Sequence, residues 1–510
     1  MQRGIPMHTT NSKAMKDADE RAINVLGIPS TLLMTNAAKA VSDTAFDLAK
    51  GGKNAVVFCG SGNNGGDGIA AASYLLRRGM NVHCFLVGKR EKMTRDAAEM
   101  QSRLEELGGR LIDFSPGDGE QQALSVRADV IVDAIFGIGL KRELSDGALA
   151  AVRLINSSGV PVVSADIPSG VAADTGQILG DAVHATATVT FTMAKPGHFV
   201  EPGCACCGKL LVADIGIPKE IRDEAATRIF AVDQEDVFLP QRPRVSHKGS
   251  FGKLLILGGS VGYTGAPAMC AMAAARAGAG LIYLGVPKSI YELTAVRLME
   301  PMTFPLSESD GGLDISALPD ILSRLTAADV CAVGCGLGRS KETVELMRSL
   351  IRSCPKRMVI DADGLFALGQ DEELIKSAQK PPVLTPHERE FFRLGGTLSG
   401  DRISDAKSFA QSRNCILVLK GHRTICAFPD GEVYIINCGN PGMAKGGSGD
   451  VLTGIIGALL GQMPAKEAVV TACVIHARSG DICAQRLGEY SMLPTDIIEA
   501  IPETMKAMTR

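Results

Sequence analysis

A short stretch near the carboxyl end of the chain combines clustered glycines with one carboxylate and a long apolar run. It reads NCGNPGMAKGGSGDVLTGIIGALLG and spans residues 437–461. Glycine packs no side chain and costs backbone entropy, so such a cluster needs a local reason. A glycine-rich loop that leads into a helix presents free backbone N–H groups, and the helix dipole adds positive potential there. Gly446, Gly447 and Gly449 would let that backbone approach an anion closely, so the stretch predicts an anion-binding loop.

Asp450 follows these glycines and falls in the first turn of the predicted helix. A carboxylate beside a bound phosphate is repelled, so its presence indicates either a metal ion or work as a general base. The structural alternative is a helix cap, because Asp is a good N-terminal cap and Ser448 is another candidate. The density of glycines favours the functional interpretation.

Three further Gly/Asp loops lie in the first half of the chain. The first, CGSGNNGGDG at 59–68, follows a predicted strand and precedes a predicted helix, as a dinucleotide phosphate loop does. Its Asp67 would be unfavourable beside a pyrophosphate, however. The others, DAIFGIGL at 133–140 and DIPSGVAADTG at 166–176, also follow predicted strands. Together they predict a second site at one sheet edge, with capping of local turns by Asp133 and Asp166 as the structural alternative.

Both halves alternate short β-rich apolar runs with longer helical patterns, which is typical of parallel α/β architecture. The predicted strands lie at 55–59, 82–87, 130–137, 160–168 and 187–194, then at 253–259, 281–287, 329–336, 357–365, 381–388 and 415–421, with a hairpin at 423–437. The stretch 233–252 holds acids, prolines and a basic cluster and indicates a domain seam. We therefore predict an α/β protein of two domains, 1–238 with a Rossmann-like doubly wound sheet and 239–510.

Length and composition agree with this organisation. A chain of 510 residues is too long for one ordinary core, and its net charge of -3 argues against a dedicated nucleic-acid binder. The 14 cysteines are scattered, which fits reduced thiols in a cytoplasmic protein, and the cluster Cys204, Cys206 and Cys207 has no second ligand pair for zinc. The uncharged stretch 254–275 is interrupted by Gly, Ser and Pro, so no membrane span is expected.

The second half of the chain resembles ribokinase-like enzymes, and more narrowly the ADP/ATP-dependent NAD(P)H-hydrate dehydratases. The anion-loop motif at 437–454 carries the resemblance, together with five further stretches in the same order: 247–281, VGCGLGRS at 333–340, DADGL at 361–365, TPHEREFFRL at 385–394 and LKGHRT at 419–424. The resemblance implies a ribokinase-like α/β domain that uses ADP, with ATP as an alternative, and Mg²⁺. Asp361 and Asp363 follow a predicted strand, where a site is expected, but we assign neither a catalytic role, and capping of the next helix is the structural interpretation of one of them.

Carried over to this sequence, the resemblance makes Asp450 the catalytic base on the hydroxyl of a hydrated nicotinamide. The residues that it assigns to the hydrated substrate are Ala266, Gly336, His387, Glu390, Arg393 and Asp450. Those that it assigns to the nucleotide are Lys420, Gly421, His422, Arg423, Thr424, Asn440, Pro441, Gly442, Met443, Ala444, Lys445, Gly446, Gly447, Ser448 and Gly449. A structural histidine at His387 and an ordinary surface lysine at Lys420 are the alternatives.

The first half resembles the NAD(P)H-hydrate epimerase domain over roughly residues 10–235. The resemblance assigns to the hydrate Asn63, Asn64, Gly65, Gly66, Asp67, Gly137, Ile138, Gly139, Leu140, Lys141, Arg142, Glu143 and Asp166. It implies a K⁺ held by Asn64, Asp133 and Ser169, through the hard oxygen ligands that such a cation takes. Asp166 is the candidate acid/base, with Lys195 as its partner.

The expected function is therefore repair of hydrated nicotinamide nucleotides. One domain would interconvert the R and S forms of NADHX and NADPHX, and the other would dehydrate the S form with conversion of ADP to AMP and phosphate. The expected partners are these small molecules and the adenine nucleotide, with self-association into a homo-oligomer and no nucleic acid or membrane. Two alternatives remain open, a ribokinase-like small-molecule kinase and an N-terminal module that only binds a ligand.

Overall fold

The computed structural model describes residues 6–509, and the chain divides into two compact units. The amino-terminal unit is His8–Ile229, and the carboxyl-terminal unit begins at Phe230 and also includes Met7. The division lies upstream of the predicted 238/239 seam because the strand at Ile229–Val232 joins the sheet of the carboxyl-terminal unit. Each unit is described separately below.

The first half of the chain alternates helices and strands, as predicted. Its strands are β1 Met7–His8, β2 Asn54–Cys59, β3 Asn81–Leu86, β4 Leu111–Asp113, β5 Val130–Ala134, β6 Val162–Ala165, β7 Ala187–Phe191, β8 Lys209–Ala213 and β9 Ile229–Val232. Its helices are α1 Ser12–Asn24, α2 Ser30–Leu48, α3 Asn63–Arg77, α4 Arg95–Glu106, α5 Gly119–Arg127, α6 Asp146–Ser157 and α7 Lys219–Ala225.

Seven strands of the amino-terminal unit form one parallel sheet in the order β4-β3-β2-β5-β6-β7-β8. The strands are continuous apolar runs, such as Ala55–Cys59 in β2, because helices cover both faces of a doubly wound sheet. The strand order reverses between β2 and β5, whose last residues Cys59 and Ala134 are paired. Ligands bind at such switch points, beyond the carboxyl ends of the strands.

The second half of the chain continues the alternation. Its strands are β10 Lys253–Leu257, β11 Leu281–Pro287, β12 Met302–Leu306, β13 Glu308–Ser309, β14 Gly312–Leu313, β15 Val330–Val333, β16 Arg357–Ile360, β17 Val383–Leu384, β18 Ile416–Leu419, β19 Ile425–Ala427 and β20 Val433–Ile436. Its helices are α8 Gly265–Arg276, α9 Tyr291–Ala295, α10 Leu318–Leu325, α11 Lys341–Ser353, α12 Ala362–Leu368, α13 Glu372–Lys376, α14 Glu388–Arg393, α15 Arg402–Arg413, α16 Ser448–Leu460, α17 Ala465–Leu487 and α18 Pro494–Met508.

Eleven strands form the main sheet of the carboxyl-terminal unit, in the order β1-β9-β20-β19-β18-β17-β16-β15-β10-β11-β12. Strands β12 to β18 of that order are mutually parallel, and the predicted hairpin at 423–437 is confirmed as the antiparallel pair β19–β20. The strand order reverses between β10 and β15, which predicts a site at their carboxyl ends. The fold class predicted from the sequence is thereby confirmed for both units.

Two helices place the carboxyl-terminal site. The glycine-rich stretch leads into α16, which packs on α8 so closely that a side chain at Gly454 would lie 2.1 Å from the Cys270 carbonyl oxygen. Only glycine permits this approach.

Among residues 6–509, no helix combines the length and apolar character needed to cross a membrane.

Candidate active sites

The amino-terminal site begins where α3 starts, directly after β2. The predicted loop residues Asn63–Asp67 form the first five residues of α3, which has Gly62 at its N-cap and no side-chain cap. A side chain at Gly65 would lie 1.7 Å from the Gly60 carbonyl oxygen, so glycine allows the helix to start this tightly. The turn thereby brings Asn63 and Asp67 to the switch point of the sheet.

A hydrogen-bonded network around Asp133 joins the ends of β5 and β6. The Asp133 carboxylate is fully buried and accepts bonds from the Ser169 hydroxyl (2.6 Å), the Ser169 amide (2.9 Å), the Ser164 hydroxyl (2.8 Å) and the Ile135 amide (3.3 Å). A carboxylate has about four acceptor positions, so protein donors fill all of them. Burial raises the pKa of Asp133 against these hydrogen bonds, which lower it.

Asp166 and Lys195 form a buried ion pair at the ends of β6 and β7. The Lys195 Nζ donates to Asp166 Oδ1 at 2.6 Å, to Thr190 Oγ1 at 2.8 Å and to the Phe191 carbonyl oxygen at 3.3 Å. Burial alone would raise the pKa of Asp166, but the adjacent Lys195 ammonium holds it below its usual value. Asp166 also has a φ of 68°, a strained conformation for a non-glycine residue that is frequent at functional sites.

His198 forms hydrogen bonds with the backbone of both residues of this ion pair. Its Nδ1 accepts from the Lys195 amide at 3.0 Å, so its Nε2 carries the hydrogen and donates to the Asp166 carbonyl oxygen at 2.9 Å. Burial and then the Lys195 charge lower the pKa of His198 to about 4, which keeps the ring neutral. The ion pair is therefore held from both its side chains and its backbone.

A cavity of about 130 Å³ opens beside this pair. Asn63, Asp67, Ile138, Asp166 and Lys195 line it among the residues predicted from the sequence. The Ile138 amide donates to Asp166 Oδ2 at 3.2 Å, so the 137–143 loop is tied to the ion pair. The remaining lining residues are Met15, Asp19, Ile23, Ser30, Leu33, Met34, Ala37, Asp96, Phe191 and Ile215.

Of the other residues predicted for this site, some lie beside the ion pair and others are exposed on the surface. The space beside Gly137 is bounded by Asp166 Oδ2 and the Asn64 side chain, so Asn64 lies at the same wall as the ion pair. Lys141, Arg142 and Glu143 are exposed on the surface. Asp19, from α1, lines the cavity although no local sequence pattern marked it.

The carboxyl-terminal site is built on the start of α16. Gly447 occupies the N-cap with a φ of 104°, and no side chain caps the helix. Ser448 contacts the His476 ring at 3.2 Å, so neither Ser448 nor Asp450 acts as the cap that was considered from the sequence. The first-turn amides of a 13-residue helix thus face the glycine loop, which is the geometry of an anion site.

A second buried ion pair, Asp361–Lys420, lies against this helix start. The Lys420 Nζ donates to Asp361 Oδ1 at 2.8 Å, and the Thr453 hydroxyl donates to Asp361 Oδ2 at 2.9 Å. A side chain at Gly449 would lie 3.1 Å from the Lys420 Nζ, so the ammonium stands next to the glycine loop. Burial favours neutral forms of both groups, yet their mutual attraction holds the pKa of Asp361 below and that of Lys420 above its usual value.

Asp450 lies beside this pair without belonging to it. Its carboxylate, the Asp361 carboxylate and the Cys335 sulfur all lie within 4.8 Å of one another. Burial raises the pKa of Asp450 to about 6, a hydrogen bond from the Cys335 thiol opposes that rise, and the Asp361 charge adds to it. A carboxylate with this proton affinity is suited to accept a proton near neutral pH.

Ala266 and Gly336, which were predicted to contact the substrate, lie beside each other near α8. A side chain at Gly336, whose φ is 64°, would lie 3.1 Å from the Ala266 side chain and 3.0 Å from that of Tyr263. The Ser260 hydroxyl donates to the Gly336 carbonyl oxygen at 2.9 Å. The structure therefore brings Ala266 and Gly336 together at the ends of β10 and β15.

His387 and Glu390 form a capping box at the start of α14. The His387 Nδ1 accepts from the Arg389 and Glu390 amides, and the Glu390 carboxylate accepts from the His387 amide at 3.0 Å. The imidazole therefore has a structural duty, as the alternative interpretation of His387 proposed. Glu390 Oε2 also lies 3.9 Å from the Lys420 Nζ, while Arg393 is exposed.

Several of the other residues predicted to bind the nucleotide are hydrogen-bonded within the protein. The Lys445 Nζ donates to the carbonyl oxygens of Tyr490 and Met492, both at 2.7 Å, which anchors the loop. The Asn440 amide donates to Asp481 at 3.0 Å. Arg423 contacts Asn437, and Gly421 and His422 are exposed.

Sequence reasoning missed three groups of the carboxyl-terminal site. Asp361 was noted only as a possible cap, but its side chain makes no capping bond to α12. Thr453 stands one helical turn after Gly449, a spacing that places both on one face of α16. Cys335 lies in a predicted strand and in the stretch at 333–340, but nothing in the sequence assigned it a role, because a cysteine in an apolar run carries no signal of a neighbouring carboxylate.

The chain matches two family models. One, described as NAD(P)H-hydrate dehydratase, matches residues 254–503, and the other, described as YjeF-related protein N-terminus, matches residues 30–197. Each match lies within one half of the chain and covers most of the residues that form the site there.

Curated relatives match the chain over nearly its whole length. A protein of Moorella thermoacetica named bifunctional NAD(P)H-hydrate repair enzyme is 38% identical, covering 98% of this chain and 97% of its own. Proteins of the same name are 38% identical in Thermofilum pendens (98% and 97% covered) and 35% identical in Salinibacter ruber (96% and 94% covered). Among solved structures, the ADP/ATP-dependent NAD(P)H-hydrate dehydratase of Bacillus subtilis, co-crystallised with ATP/Mg²⁺, is 28% identical over 54% of this chain and 97% of its own, with a TM-score of 0.46.

Proposed function

The chain belongs to the family of bifunctional NAD(P)H-hydrate repair enzymes, and from that membership we propose how its two sites divide the work. It is an enzyme that epimerises hydrated NADH and NADPH and dehydrates them with the help of an adenine nucleotide. Full-length relatives of this kind favour repair over the kinase and binding-module alternatives. The observation that carries the proposal is that one chain contains two different sites. One is an anion loop beside the carboxylate of Asp450, and the other is the buried ion pair of Asp166 and Lys195.

In the carboxyl-terminal site, Asp450 accepts the proton of the hydroxyl on C6 of the hydrate. The hydroxyl oxygen attacks the terminal phosphorus of ADP, and AMP leaves with the electron pair of the broken P–O bond. The phosphorylated oxygen then departs as phosphate with the C–O electron pair, and loss of the C5 proton restores the dihydronicotinamide double bond. Hydroxide is a poor leaving group, so phosphorylation supplies a better one.

The amides at the start of α16 and the Lys420 ammonium stabilise the transferring phosphoryl group. Preorganised donors of this kind contribute strongly to catalysis because they need no reorientation during the reaction. Lys420 is suited to this role because its ammonium lies next to Gly449 and remains charged beside Asp361. ADP rather than ATP as the preferred donor is part of the proposal.

Magnesium fits this site as a partner of the nucleotide rather than as an ion in a protein cage. Asp361 is engaged by Lys420 and Thr453, and a cysteine thiol such as that of Cys335 does not suit a hard cation. The phosphate oxygens would therefore hold the ion, which supplies charge neutralisation when it is bound. Asp450 stays available for the proton.

The amino-terminal site interconverts the R and S forms of the hydrate at C6. Its cavity combines an apolar wall, which includes Ile138 and Phe191, with the buried charges of Asp166 and Lys195. Epimerisation is needed because the carboxyl-terminal site takes the S form, whereas hydration produces both. The two activities together let the enzyme recover the whole pool.

Potassium is a further proposal for the amino-terminal unit. Asn64, Asp133 and Ser169 offer hard oxygen atoms, which suits this cation. Asp133 already accepts four hydrogen bonds, so an ion at this carboxylate would have to replace a protein donor. An increase in melting temperature with KCl over NaCl, lost in Ser169→Ala, would support the site.

We also propose that the protein self-associates, which light scattering would test.

The test of the proposed function uses purified protein and a mixture of both hydrate epimers, with recovery of NADH absorbance followed with and without ADP. Complete, nucleotide-dependent recovery supports both activities, because the dehydratase alone stops when its own epimer is exhausted. Recovery of only one epimer would overturn the epimerase half. No recovery with ADP or ATP would overturn the dehydratase half.

A further inference from the structure

The cavity of the amino-terminal unit contains more carboxyl groups than the proposed epimerase function has used. Asp19, Asp67, Asp96 and Asp166 line it together with a single ammonium group, that of Lys195. These carboxyls come from different elements: α1, the second turn of α3, the first turn of α4 and the end of β6. Their hydrogen bonding separates them into distinct types.

Asp166 and Lys195 have no free capacity for proton exchange. Asp166 accepts from Lys195, from the Thr190 hydroxyl at 3.1 Å and from the Ile138 amide. The ammonium uses all three of its hydrogens on protein acceptors. Because the pair holds the pKa of Asp166 below its usual value, Asp166 remains a carboxylate and is a weak base at neutral pH. The pair is therefore a fixed, structural part of the cavity lining.

Asp19 and Asp67 have the opposite character. Among residues 6–509, neither carboxyl makes a hydrogen bond or an ion pair, although Asp67 is buried and Asp19 is half-buried. Buried polar groups in folded proteins are nearly always hydrogen-bonded, so the unpartnered Asp67 carboxyl calls for a ligand that supplies the partner, and Asp19 lines the same cavity. The remaining lining is largely apolar.

The proton affinities of the two carboxyls differ in a useful way. Burial, followed by the charges of Asp166 and Asp19, raises the pKa of Asp67 well above its usual value. Burial raises the pKa of Asp19 to about 6, with Lys195 opposing the rise and Asp166 and Glu20 adding to it. The raised pKa of Asp67 favours its protonated form, whereas a pKa of about 6 leaves Asp19 mostly ionised near neutral pH, so one cavity holds a candidate acid and a candidate base.

We propose that Asp67 and Asp19 are the acid and base that exchange protons with the C6 hydroxyl of the hydrate, and that Asp166 and Lys195 position the cavity wall. This inference rests on the proposed epimerase function and deepens it. It moves proton transfer away from Asp166, the residue that the family resemblance suggested.

The step balances without any further reactant. Asp67 gives its proton to the C6 hydroxyl, which leaves as water with the electron pair of the C6–O bond, while the lone pair of the ring nitrogen forms a C6=N1 bond. Water then adds to the opposite face of C6, the C6=N1 pair returns to nitrogen, and Asp19 takes the released proton. Proton transfer from Asp19 back to Asp67 through water restores the starting state.

The experiment starts from the isolated R epimer and follows formation of the S epimer by chromatography, with full-length protein and no nucleotide. Asp19→Asn and Asp67→Asn should each lower the enzymatic exchange rate by about 100-fold or more, the usual contribution of a general acid or base. The wild-type rate should show an inflection near pH 6 that is absent in Asp19→Asn. Asp19→Glu, which restores a carboxyl group, should recover part of the rate.

Asp17→Asn is the matched control, because Asp17 lies exposed on the same helix and the same charge is removed. It should exchange at the wild-type rate. A melting temperature no lower than that of the wild type would show that the amino-terminal unit of the Asp19 and Asp67 variants is folded, because loss of a carboxyl with a raised pKa should not destabilise it. Normal ADP-dependent dehydration of the S form would show the same for the carboxyl-terminal unit.

Wild-type-like exchange in Asp19→Asn and Asp67→Asn would overturn the assignment. Loss of the pH 6 inflection in Asp166→Asn together with its retention in Asp19→Asn would also overturn it and return proton transfer to Asp166. If the wild-type protein itself failed to exchange the epimers, the epimerase function would fail, which is distinguishable from failure of the residue assignment alone.

Discussion

The two units place the same pair of groups at the carboxyl ends of parallel strands and use it differently. Asp166–Lys195 and Asp361–Lys420 are both buried ion pairs in which the aspartate has a lowered pKa. The Lys195 side chain is 1% exposed, and its ammonium donates only to protein atoms, whereas the Lys420 side chain is 21% exposed and its ammonium faces a glycine loop. The Lys195 ammonium therefore has no hydrogen left for a ligand, whereas the Lys420 ammonium remains available to one.

Beside each pair lies at least one carboxyl group that is not part of it. Burial raises the pKa of Asp19 and of Asp450 to about 6 in both cases, and the aspartate of the neighbouring pair adds to the rise. The comparison indicates that the paired aspartate organises charge while the unpaired one handles protons. The same division of labour thus arises in two unrelated sites because desolvation acts alike on any half-buried carboxylate.

The largest expected effect tests the unpaired group of the carboxyl-terminal site. Asp450→Asn removes the base while keeping the shape of the side chain, so ADP-dependent dehydration should fall by about 10²–10⁴-fold. Epimer exchange, which takes place in the other unit, should be unchanged. Spectrophotometric recovery of NADH and chromatographic epimer exchange measure the two activities. Retained dehydration would remove Asp450 as the base.

The next effect tests the closed ion pair. Lys195→Met leaves the buried Asp166 carboxylate without its cation, so the amino-terminal unit should lose about 3–5 kcal/mol of unfolding free energy. Denaturant unfolding of the variant measures it, with the exposed Lys141→Met as control. A stability equal to that of the wild type would contradict the interpretation of this pair as a structural wall.

Asp361→Asn tests whether a paired aspartate tunes its unpaired neighbour. Without the Asp361 charge, and with Lys420 uncompensated, the pKa of Asp450 should fall by about one unit or more. The wild-type dehydration rate should decline below about pH 6 as Asp450 becomes protonated, and in the variant this decline should move to lower pH. The rate at neutral pH should fall about 10-fold because a weaker base is less effective.

A pH–rate profile measures this shift. Asp363→Asn is the matched control, since Asp363 stands two positions away and also accepts two bonds, from the Gly338 amide at 3.0 Å and Arg339 at 2.6 Å. Its effect on Asp450 is the smallest of those named, so its profile should move less. Equal shifts in both variants would indicate that Asp361 has no special influence.

The smallest effect concerns stability. A carboxyl whose folded-state pKa is raised binds its proton more tightly in the folded than in the unfolded chain, so its charge destabilises the fold above pH 6. Asp450→Asn should therefore raise the unfolding free energy of the carboxyl-terminal unit by about 1–2 kcal/mol at pH 8, a gain that disappears near pH 4. Denaturant unfolding at the two pH values measures it, and destabilisation at pH 8 would contradict the assigned environment of Asp450.

Much of the fold follows from local patterns. The runs that became β2, β5 and β10 are short, predominantly apolar and followed within a few residues by glycine, so the sequence predicts them as buried parallel strands. The anion loop was predictable for the same reason, since glycine density, a helix start and a carboxylate are all within one short segment. The 423–437 hairpin was marked by its Pro-Asp-Gly turn.

The pairing of charges was not predictable, because it joins residues that are far apart in the chain. Asp361 and Lys420 are 59 positions apart, and Asp166 and Lys195 are 29 apart. Asp19 stands in a helix with no pattern of its own and becomes a site residue only because α1 lies against the cavity. The sequence by itself determined the elements, the loops and the family, since these depend on neighbouring residues. The tertiary structure alone decided which carboxyl is paired and which is left to titrate, because burial and charge contact are properties of the packed fold.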